Sequence, residues 1–123
     1  MCGICGIFHY ARPTRSVDRT LLERMTRSLA HRGPDGEGFH LQGPVGLGHR
    51  RLAIVDLTPT GAQPMANEDG TAWITYNGEF YDHAAWRTRL SGRHAFRGSS
   101  DTETLLHLLR SWKASCQAVS CRT

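Results

Sequence analysis

A cysteine stands directly after the initiator methionine, within an eight-residue segment that favours a β-strand. Removal of Met1 would leave Cys2 with a thiol and a free α-amino group on the same residue. An α-amino group has a pKa of about 7.7–8.0, so a large part of it is neutral near physiological pH and can accept the thiol proton. Ile4, Ile7 and Phe8 are residue types that strands prefer. The segment therefore predicts a nucleophile carried on the first strand of a sheet.

The cysteines also allow a metal-binding interpretation. Cys2 and Cys5 have the spacing of half a zinc site, and Cys116 and Cys121 would supply the other half. The second pair has a longer gap, and a zinc ion would occupy the sulfur that we interpret as a nucleophile. We therefore favour a free thiol and assign no metal ligand. A thioredoxin-like redox pair is disfavoured because nothing before Cys2 can form the strand that precedes such a motif.

The composition predicts one folded domain. The chain has 123 residues, of which 39% are hydrophobic and 21% charged, values typical of a globular protein. The net charge of +4 is spread without a basic run, which argues against nucleic acid as a partner. The sequence has neither an apolar stretch long enough for a membrane span nor a signal peptide. We expect a cytoplasmic protein with reduced thiols and no membrane partner.

Periodicity predicts the elements that must position the reactive residues. Apolar residues at helical spacing predict an amphipathic helix over residues 17–29, and further helices are predicted over 82–90 and 102–112. Ser100 and Glu103 have the spacing of a capping box at the start of the last helix. Besides the first strand, strand-like runs cover residues 45–49 and 52–56, which together form two short strands or one bent strand, and residues 72–76 and 94–97.

Several segments together resemble the glutaminase domain of class II glutamine amidotransferases, and most closely that of the asparagine synthetase type. They are residues 1–8, 32–36, 48–56, 76–81 and 99–103. Their order and spacing are those of the family, which makes the joint signal stronger than any single motif. The resemblance implies an α+β fold, the αββα sandwich of the N-terminal-nucleophile hydrolases.

The resemblance also implies roles for particular residues, with Cys2, Asn77 and Gly78 as the catalytic set. The Asn77 carboxamide and the Gly78 backbone N–H would hold the oxyanion that forms during acyl transfer. The Arg51 guanidinium would grip the substrate α-carboxylate through its planar fork, and Asp101 would pair with the α-ammonium. The implied substrate-binding residues are Arg51, Leu52, Val55, Asn77, Gly78, Glu79 and Asp101. Residues 32–36 would help to wall the pocket, and residues 63–65 resemble its edge loop.

Two of these motifs have a purely structural interpretation as well. Asn77-Gly78 is an ordinary turn dipeptide. Asp101 stands in the first turn of a predicted helix, where an acid complements the helix dipole. At Asp101 the structural and the substrate-binding role are compatible, because one fixes the position and the other uses the charge.

The resemblance covers residues 1–112 and stops there. Residues 113–123 follow neither the helical nor the strand period, so we interpret them as a tail outside the family pattern. The sandwich would then be incomplete on its C-terminal side, with exposed strand edges that predict marginal stability and aggregation. The ATP-binding synthetase domain is absent, and ATP and magnesium would belong to it. The glutaminase part itself is expected to need no cofactor.

The predicted function is hydrolysis of L-glutamine to glutamate and ammonia through a Cys2 thioester, for amide transfer to aspartate by a synthetase domain. Three alternatives stay open. The chain is an inactive remnant of the family, it belongs to a related amidotransferase with another acceptor, or it is a small zinc-bound module.

Overall fold

The computed structural model of the chain describes residues 1–54 and 57–120, with side chains described up to Trp112. No helix in this part of the chain is long and apolar enough to cross a membrane. The helices are α1 (Arg19–Ser28), α2 (His83–Leu90) and α3 (Asp101–Ser120), and the strands are β1 (Gly3–Phe8), β2 (Gly36–Gln42), β3 (Val45–Arg51), β4 (Met65–Ala66) and β5 (Trp73–Ile74).

The larger sheet has the order β1-β3-β2, and all its pairings are antiparallel. Helix α1 packs on one face of this sheet, where glycines of β3 allow a close approach. A Cβ at Gly46 would collide with Val17 and press on Leu22, and one at Gly48 would collide with Thr26. Leu22 and Thr26 of α1 are fully buried. The predicted helix thus covers this face with Leu22 of its apolar stripe and with Thr26, while Leu21 of that stripe is 47% exposed.

The opposite face of the larger sheet is turned toward the small sheet formed by β4 and β5. The His40 ring of β2 stacks on Trp73 at a centroid distance of 3.8 Å, and His49 Nδ1 lies 3.0 Å from Thr75 Oγ1. Helix α3 contacts both strands of the small sheet from its other side, and α2 packs on α3. The order of layers is α1, large sheet, small sheet and α3 with α2. The predicted α+β class is confirmed, and the layers are consistent with an N-terminal-nucleophile hydrolase domain.

Strand β2 is absent from the sequence-based prediction because two of its residues are glycines, which strands disfavour. Its pairing with β3 along residues 36–42 makes it a strand. One sequence signal was present: Gly43 and Pro44 form a short connection between β2 and β3, and Gly43 has a φ of +53°. Glycine is the residue that such a tight hairpin connection favours.

The strand predicted over residues 52–56 is wrong for residues 52–54, and Val55 and Asp56 lie outside the described residues. The chain leaves the sheet after Arg51 because side chains take up the next backbone N–H groups. Cys2 Sγ accepts from Leu52 N at 3.3 Å, and Asp35 Oδ2 accepts from Ala53 N at 2.9 Å. No ladder hydrogen bond is needed to satisfy these donors.

The strand predicted over residues 94–97 is also wrong. The Glu103 carboxylate accepts from the Arg97 and Gly98 backbone N–H groups at 2.7 and 3.0 Å, so this segment is an irregular loop tied to α3.

Ser100 Oγ accepts from Thr102 N at 3.1 Å, as expected of a helix N-cap. Helix α3 runs to Ser120 and not to Trp112, contrary to the aperiodic tail predicted from the sequence.

Candidate active site

The Cys2 thiol is held at the start of β1 by contacts with two distant segments. Its Sγ accepts a hydrogen bond from Leu52 N at 3.3 Å and lies 3.6 Å from Leu52 O, to which it can donate. Arg32 Nε donates to the Cys2 carbonyl oxygen at 3.2 Å. Strand alternation turns Cys2 toward the small sheet, away from α1. The thiol is therefore fixed in position and half-buried.

Cys5 lies on the opposite face of the same strand. Its Sγ is 3.2 Å from Thr26 Oγ1 on α1, and it pairs in register with Gly48. Because the two sulfurs point to opposite sides of the sheet, Cys2 and Cys5 do not form half of a zinc site. The side chains of Cys116 and Cys121 lie outside the described part of the chain.

A cavity of about 390 Å³ opens beside Cys2. It brings together Cys2 and every other site residue predicted from the sequence except Val55, which lies outside the described residues. Residues that the sequence did not indicate as site residues complete its wall. The lining residues include Met1, Cys2, His49, Arg51, Leu52, Gln63, Tyr76, Asn77, Gly78, Glu79, Tyr81, Asp101 and Thr102.

Strand β5 leads into Asn77 and Gly78, and Gln63 anchors the chain just before them. Gln63 Oε1 accepts from Tyr76 N at 2.6 Å, and Gln63 Nε2 donates to Thr102 Oγ1 at 3.2 Å. The glutamine thus links the residue before the Asn-Gly pair to the start of α3. Gln63 belongs to the segment that resembles the family's pocket-edge loop, but its anchoring role depends on contacts that no local pattern reveals.

Arg51 and Asp101 bring opposite charges to the same cavity. Arg51 ends β3, and its Nη1 donates to Thr58 O at 3.0 Å. Asp101 is the first residue of α3, and its Oδ2 accepts from Phe80 N at 2.9 Å. Each charged group is therefore partly oriented by the backbone of a neighbouring loop. The pair suits a small zwitterionic ligand.

His49 is a cavity residue that sequence reasoning missed. Its side chain is 1% exposed, and its Nε2 makes no hydrogen bond among the described residues. Burial lowers the pKa of His49 from 6.5 to about 4, and the Arg51 charge acts in the same direction. The imidazole is therefore neutral near physiological pH. Only the position of His49 on β3, facing the small sheet, could have identified it as a cavity residue.

Tyr81 and Glu79 form a polar edge of the cavity. A hydrogen bond to Glu79, together with the Glu79 charge, raises the pKa of the exposed Tyr81 phenol. Both side chains are exposed, so they are accessible to a ligand entering from solvent.

Residues 32–36 support the site from behind and are not among the residues that line the cavity. Arg32 holds the Cys2 carbonyl, and the Asp35 carboxylate holds Ala53 N. Gly33 lies so close to the backbone of Arg50 that any Cβ at this position would overlap it. The segment therefore acts as scaffold for the pocket: it does not line the cavity itself, but it fixes residues that do.

Comparison with known proteins finds relatives that match most of the chain. The profile of the glutamine amidotransferase domain family matches residues 1–120. The chain is 39% identical over 115 residues to asparagine synthetase [glutamine-hydrolyzing] 1 of Bacillus subtilis, covering 92% of the chain and 18% of that protein. It is 43% identical over 108 residues to the root asparagine synthetase [glutamine-hydrolyzing] of Pisum sativum, covering 88% and 18%.

A third relative, the probable asparagine synthetase [glutamine-hydrolyzing] of Schizosaccharomyces pombe, is 38% identical over 116 residues, or 94% of the chain and 20% of that protein. The chain thus spans a fifth or less of the length of these relatives. The division of the chain at residue 112 stays a prediction. Because the family profile matches nearly the whole sequence, the chain belongs to the glutamine amidotransferase domain family.

Proposed function

We propose that this domain hydrolyses L-glutamine, with Cys2 as the nucleophile. The observation that carries the proposal is the single cavity that joins the Cys2 thiol to the Asn77–Gly78 pair and to the charges of Arg51 and Asp101. Its volume of about 390 Å³ is sufficient for an amino acid of this size. In this proposal one bound glutamine would contact all these groups.

In the proposed reaction, Cys2 Sγ forms a bond to the carboxamide carbon and the C–N bond breaks. The leaving nitrogen takes up a proton and departs as ammonia. Water then cleaves the thioester, which releases glutamate and restores the thiol. The Cys2 α-amine would serve as the base, which requires prior removal of Met1. Met1 lines the cavity, so its removal would place that amine inside the site.

Asn77 and Gly78 would hold the oxyanion during both steps. A side-chain amide and a backbone N–H aimed at the developing charge are worth about 3–4 kcal/mol each in comparable enzymes. The contacts of Gln63 with Tyr76 N and Thr102 support this role, because they fix the chain that carries the pair.

The zwitterionic end of glutamine would lie between Arg51 and Asp101. Arg51 would bind the α-carboxylate through two N–H groups, and Asp101 would bind the α-ammonium. Leu52, Val55 and Glu79 would complete the substrate-binding set. Leu52 is well placed for this because its backbone already contacts the Cys2 sulfur.

The acceptor of the ammonia is proposed from the relatives, whose names describe glutamine-hydrolysing asparagine synthetases. The domain would supply ammonia to a synthetase domain that amidates aspartate, and that domain would use ATP and magnesium. The hydrolysis step would need neither. We expect the protein to work in the cytoplasm, where Cys2 stays reduced.

The test compares Cys2→Ala with Cys5→Ala, because the two sulfurs lie on opposite faces of β1. Glutamate release from L-glutamine is measured on the full chain, with mass spectrometry of its N-terminus and circular dichroism of each variant. We expect release to vanish in Cys2→Ala and to persist in Cys5→Ala. Folded, Met1-free protein that releases no glutamate would reject the proposal in favour of an inactive remnant. Equal loss in both variants would reject Cys2 as the nucleophile.

A further inference from the structure

A second cluster of reactive side chains lies outside the cavity. Glu68 follows β4, His94 lies in the loop between α2 and α3, and His107 is on α3. One ligand atom from each of the three residues lies within 4.8 Å of those of the other two. Glu68 Oε1 is 2.7 Å from His94 Nδ1, and Glu68 Oε2 is 3.2 Å from His107 Nδ1. None of the three residues lines the cavity beside Cys2.

We propose that Glu68, His94 and His107 bind a divalent transition-metal ion, and that zinc fits this donor set best. Two imidazole nitrogens and one carboxylate are ligands that zinc uses, with a fourth position left for water. Ligand atoms about 2.0–2.2 Å from a tetrahedral zinc lie roughly 3.4 Å apart. The side chains would need to move by about an ångström or less to reach this arrangement.

The buried His107 ring is the strongest observation for a ligand. His107 is 1% exposed. Its Nδ1 lies 3.2 Å from Glu68 Oε2 but forms no well-directed hydrogen bond there or elsewhere among the described residues. A buried nitrogen without a well-directed hydrogen bond is costly, and a metal ion shared with Glu68 would satisfy it.

The His94 ring is oriented for ligation by its other nitrogen. His94 Nε2 lies 2.8 Å from Ser111 Oγ, so the ring is held with Nδ1 facing Glu68. A hydrogen bond at the second nitrogen is the usual support of a metal-binding histidine. His94 also stacks on His107, with ring centroids 4.5 Å apart. Without metal, the 2.7 Å contact is a hydrogen bond between His94 Nδ1 and Glu68 Oε1. A metal ion would take the place of the proton in this hydrogen bond.

The segment that carries Glu68 is held in place independently of the three ligands. Asp69 forms an ion pair with Arg110 of α3 at 2.9 Å, and Arg97 Nη2 donates to Glu68 O at 3.2 Å. The backbone that carries Glu68 is thus fixed by contacts other than those of the three ligands. Glu68 is exposed, which gives an ion a path from solvent. A bound ion would fasten the β4–β5 hairpin to α3 and would raise the stability of the fold by mass action.

The experiment titrates the full chain with Zn²⁺ against a chromophoric chelator and records the visible spectrum with Co²⁺. Glu68→Gln and His107→Gln test the ligands, and His31→Ala, at an exposed histidine outside the cluster, is the matched control. Circular dichroism checks that each variant folds, and Glu68→Gln carries the test if His107→Gln does not fold.

We expect one equivalent of Zn²⁺ to bind the chain and the control, and at least about tenfold weaker binding in each ligand variant. The Co²⁺ spectrum should lack thiolate charge-transfer bands, and Zn²⁺ should raise the melting temperature of the chain but not that of Glu68→Gln. Three results would each overturn the proposal: no binding at micromolar zinc, binding that Glu68→Gln leaves unchanged, or a Co²⁺ spectrum dominated by thiolate ligands.

Discussion

At the scale of single residues, Asp101 combines a structural contact with the proposed binding of substrate. Its Oδ2 accepts from Phe80 N, and an asparagine oxygen can accept the same hydrogen bond. Asp101→Asn should therefore keep the fold but lose the charge that faces the substrate ammonium. A lost charge-assisted interaction of about 1.5–3 kcal/mol predicts a KM for glutamine about 10- to 100-fold higher. Steady-state kinetics and thermal melting measure the two effects.

The matched control for Asp101→Asn is Asp69→Asn, at an exposed carboxylate outside the cavity. We expect it to leave the KM for glutamine unchanged. A KM that stays at the wild-type value in Asp101→Asn would show that this carboxylate serves only the Phe80 loop.

His49 predicts how stability depends on pH. Its pKa is about 4 in the folded chain and 6.5 when unfolded, so in this interval the unfolded chain binds more protons. The His49 contribution is complete above pH 6.5 and is lost as the pH falls toward 4. The full loss is up to about 3 kcal/mol, since one pKa unit corresponds to 1.36 kcal/mol. Urea unfolding across this range should show that the free energy of unfolding decreases as the pH is lowered.

The variant His49→Gln removes the titration and should flatten this slope. Some slope remains because burial lowers the pKa of His107 as well. The slope, and not the absolute stability, is the readout, since Gln itself changes packing in the cavity wall. A slope identical to that of the wild-type chain would show that His49 already binds a proton in the folded state.

At the scale of secondary-structure elements, Glu103 ties the loop before α3 to the helix. Its carboxylate is buried, accepts two backbone N–H groups and lies 3.7 Å from the Arg87 guanidinium. Glu103→Gln leaves a neutral group with a single acceptor oxygen at this position. We expect the free energy of unfolding to fall by about 1–3 kcal/mol, because a part-buried backbone N–H loses its acceptor.

Glu23→Gln on α1 is the comparison, since Glu23 forms only i,i+4 ion pairs with Arg19 and Arg27, whose side chains are largely exposed. Such pairs contribute about 0.3–0.5 kcal/mol each, so this variant should lose less than about 1 kcal/mol. Chemical unfolding of both variants measures the two losses of unfolding free energy. Equal losses would contradict a structural role for the Glu103 carboxylate in the loop.

At the scale of the whole molecule, the small sheet covers only part of the larger sheet. Ile4 and Phe8 lie on the covered side of β1, yet their side chains are 44% and 64% exposed. Strand β1 also ends the order β1-β3-β2, so one of its edges is unpaired within the described residues. An exposed apolar strand at a sheet edge favours association between copies.

Phe8→Lys should therefore reduce self-association. A lysine on an edge strand opposes pairing with another chain, and Phe8 is too exposed to contribute much to the core. We expect a lower mean mass in light scattering at high protein concentration, with a change in unfolding free energy within about 0.5 kcal/mol. Phe8→Leu keeps the apolar surface and should behave as the wild-type chain. Unchanged self-association in Phe8→Lys would show that the copies do not associate through Phe8 on β1.

The sequence by itself determined the α+β class, the α1 stripe and the residues of the proposed glutaminase site. These features are encoded in contiguous segments: the start at Cys2, the Asn77-Gly78 pair and the N-terminal turn of α3. A motif keeps its local spacing whatever the rest of the chain does, so it is visible without coordinates.

Only the tertiary structure decided which residues meet. Strand β2 exists because β3 pairs with it, and Cys2 is held by Leu52, fifty residues along the chain. The cluster of Glu68, His94 and His107 joins three segments that share no sequence pattern. The physical reason is that these contacts form between residues far apart in sequence. Their burial and hydrogen bonds depend on how the layers pack, which no local period encodes.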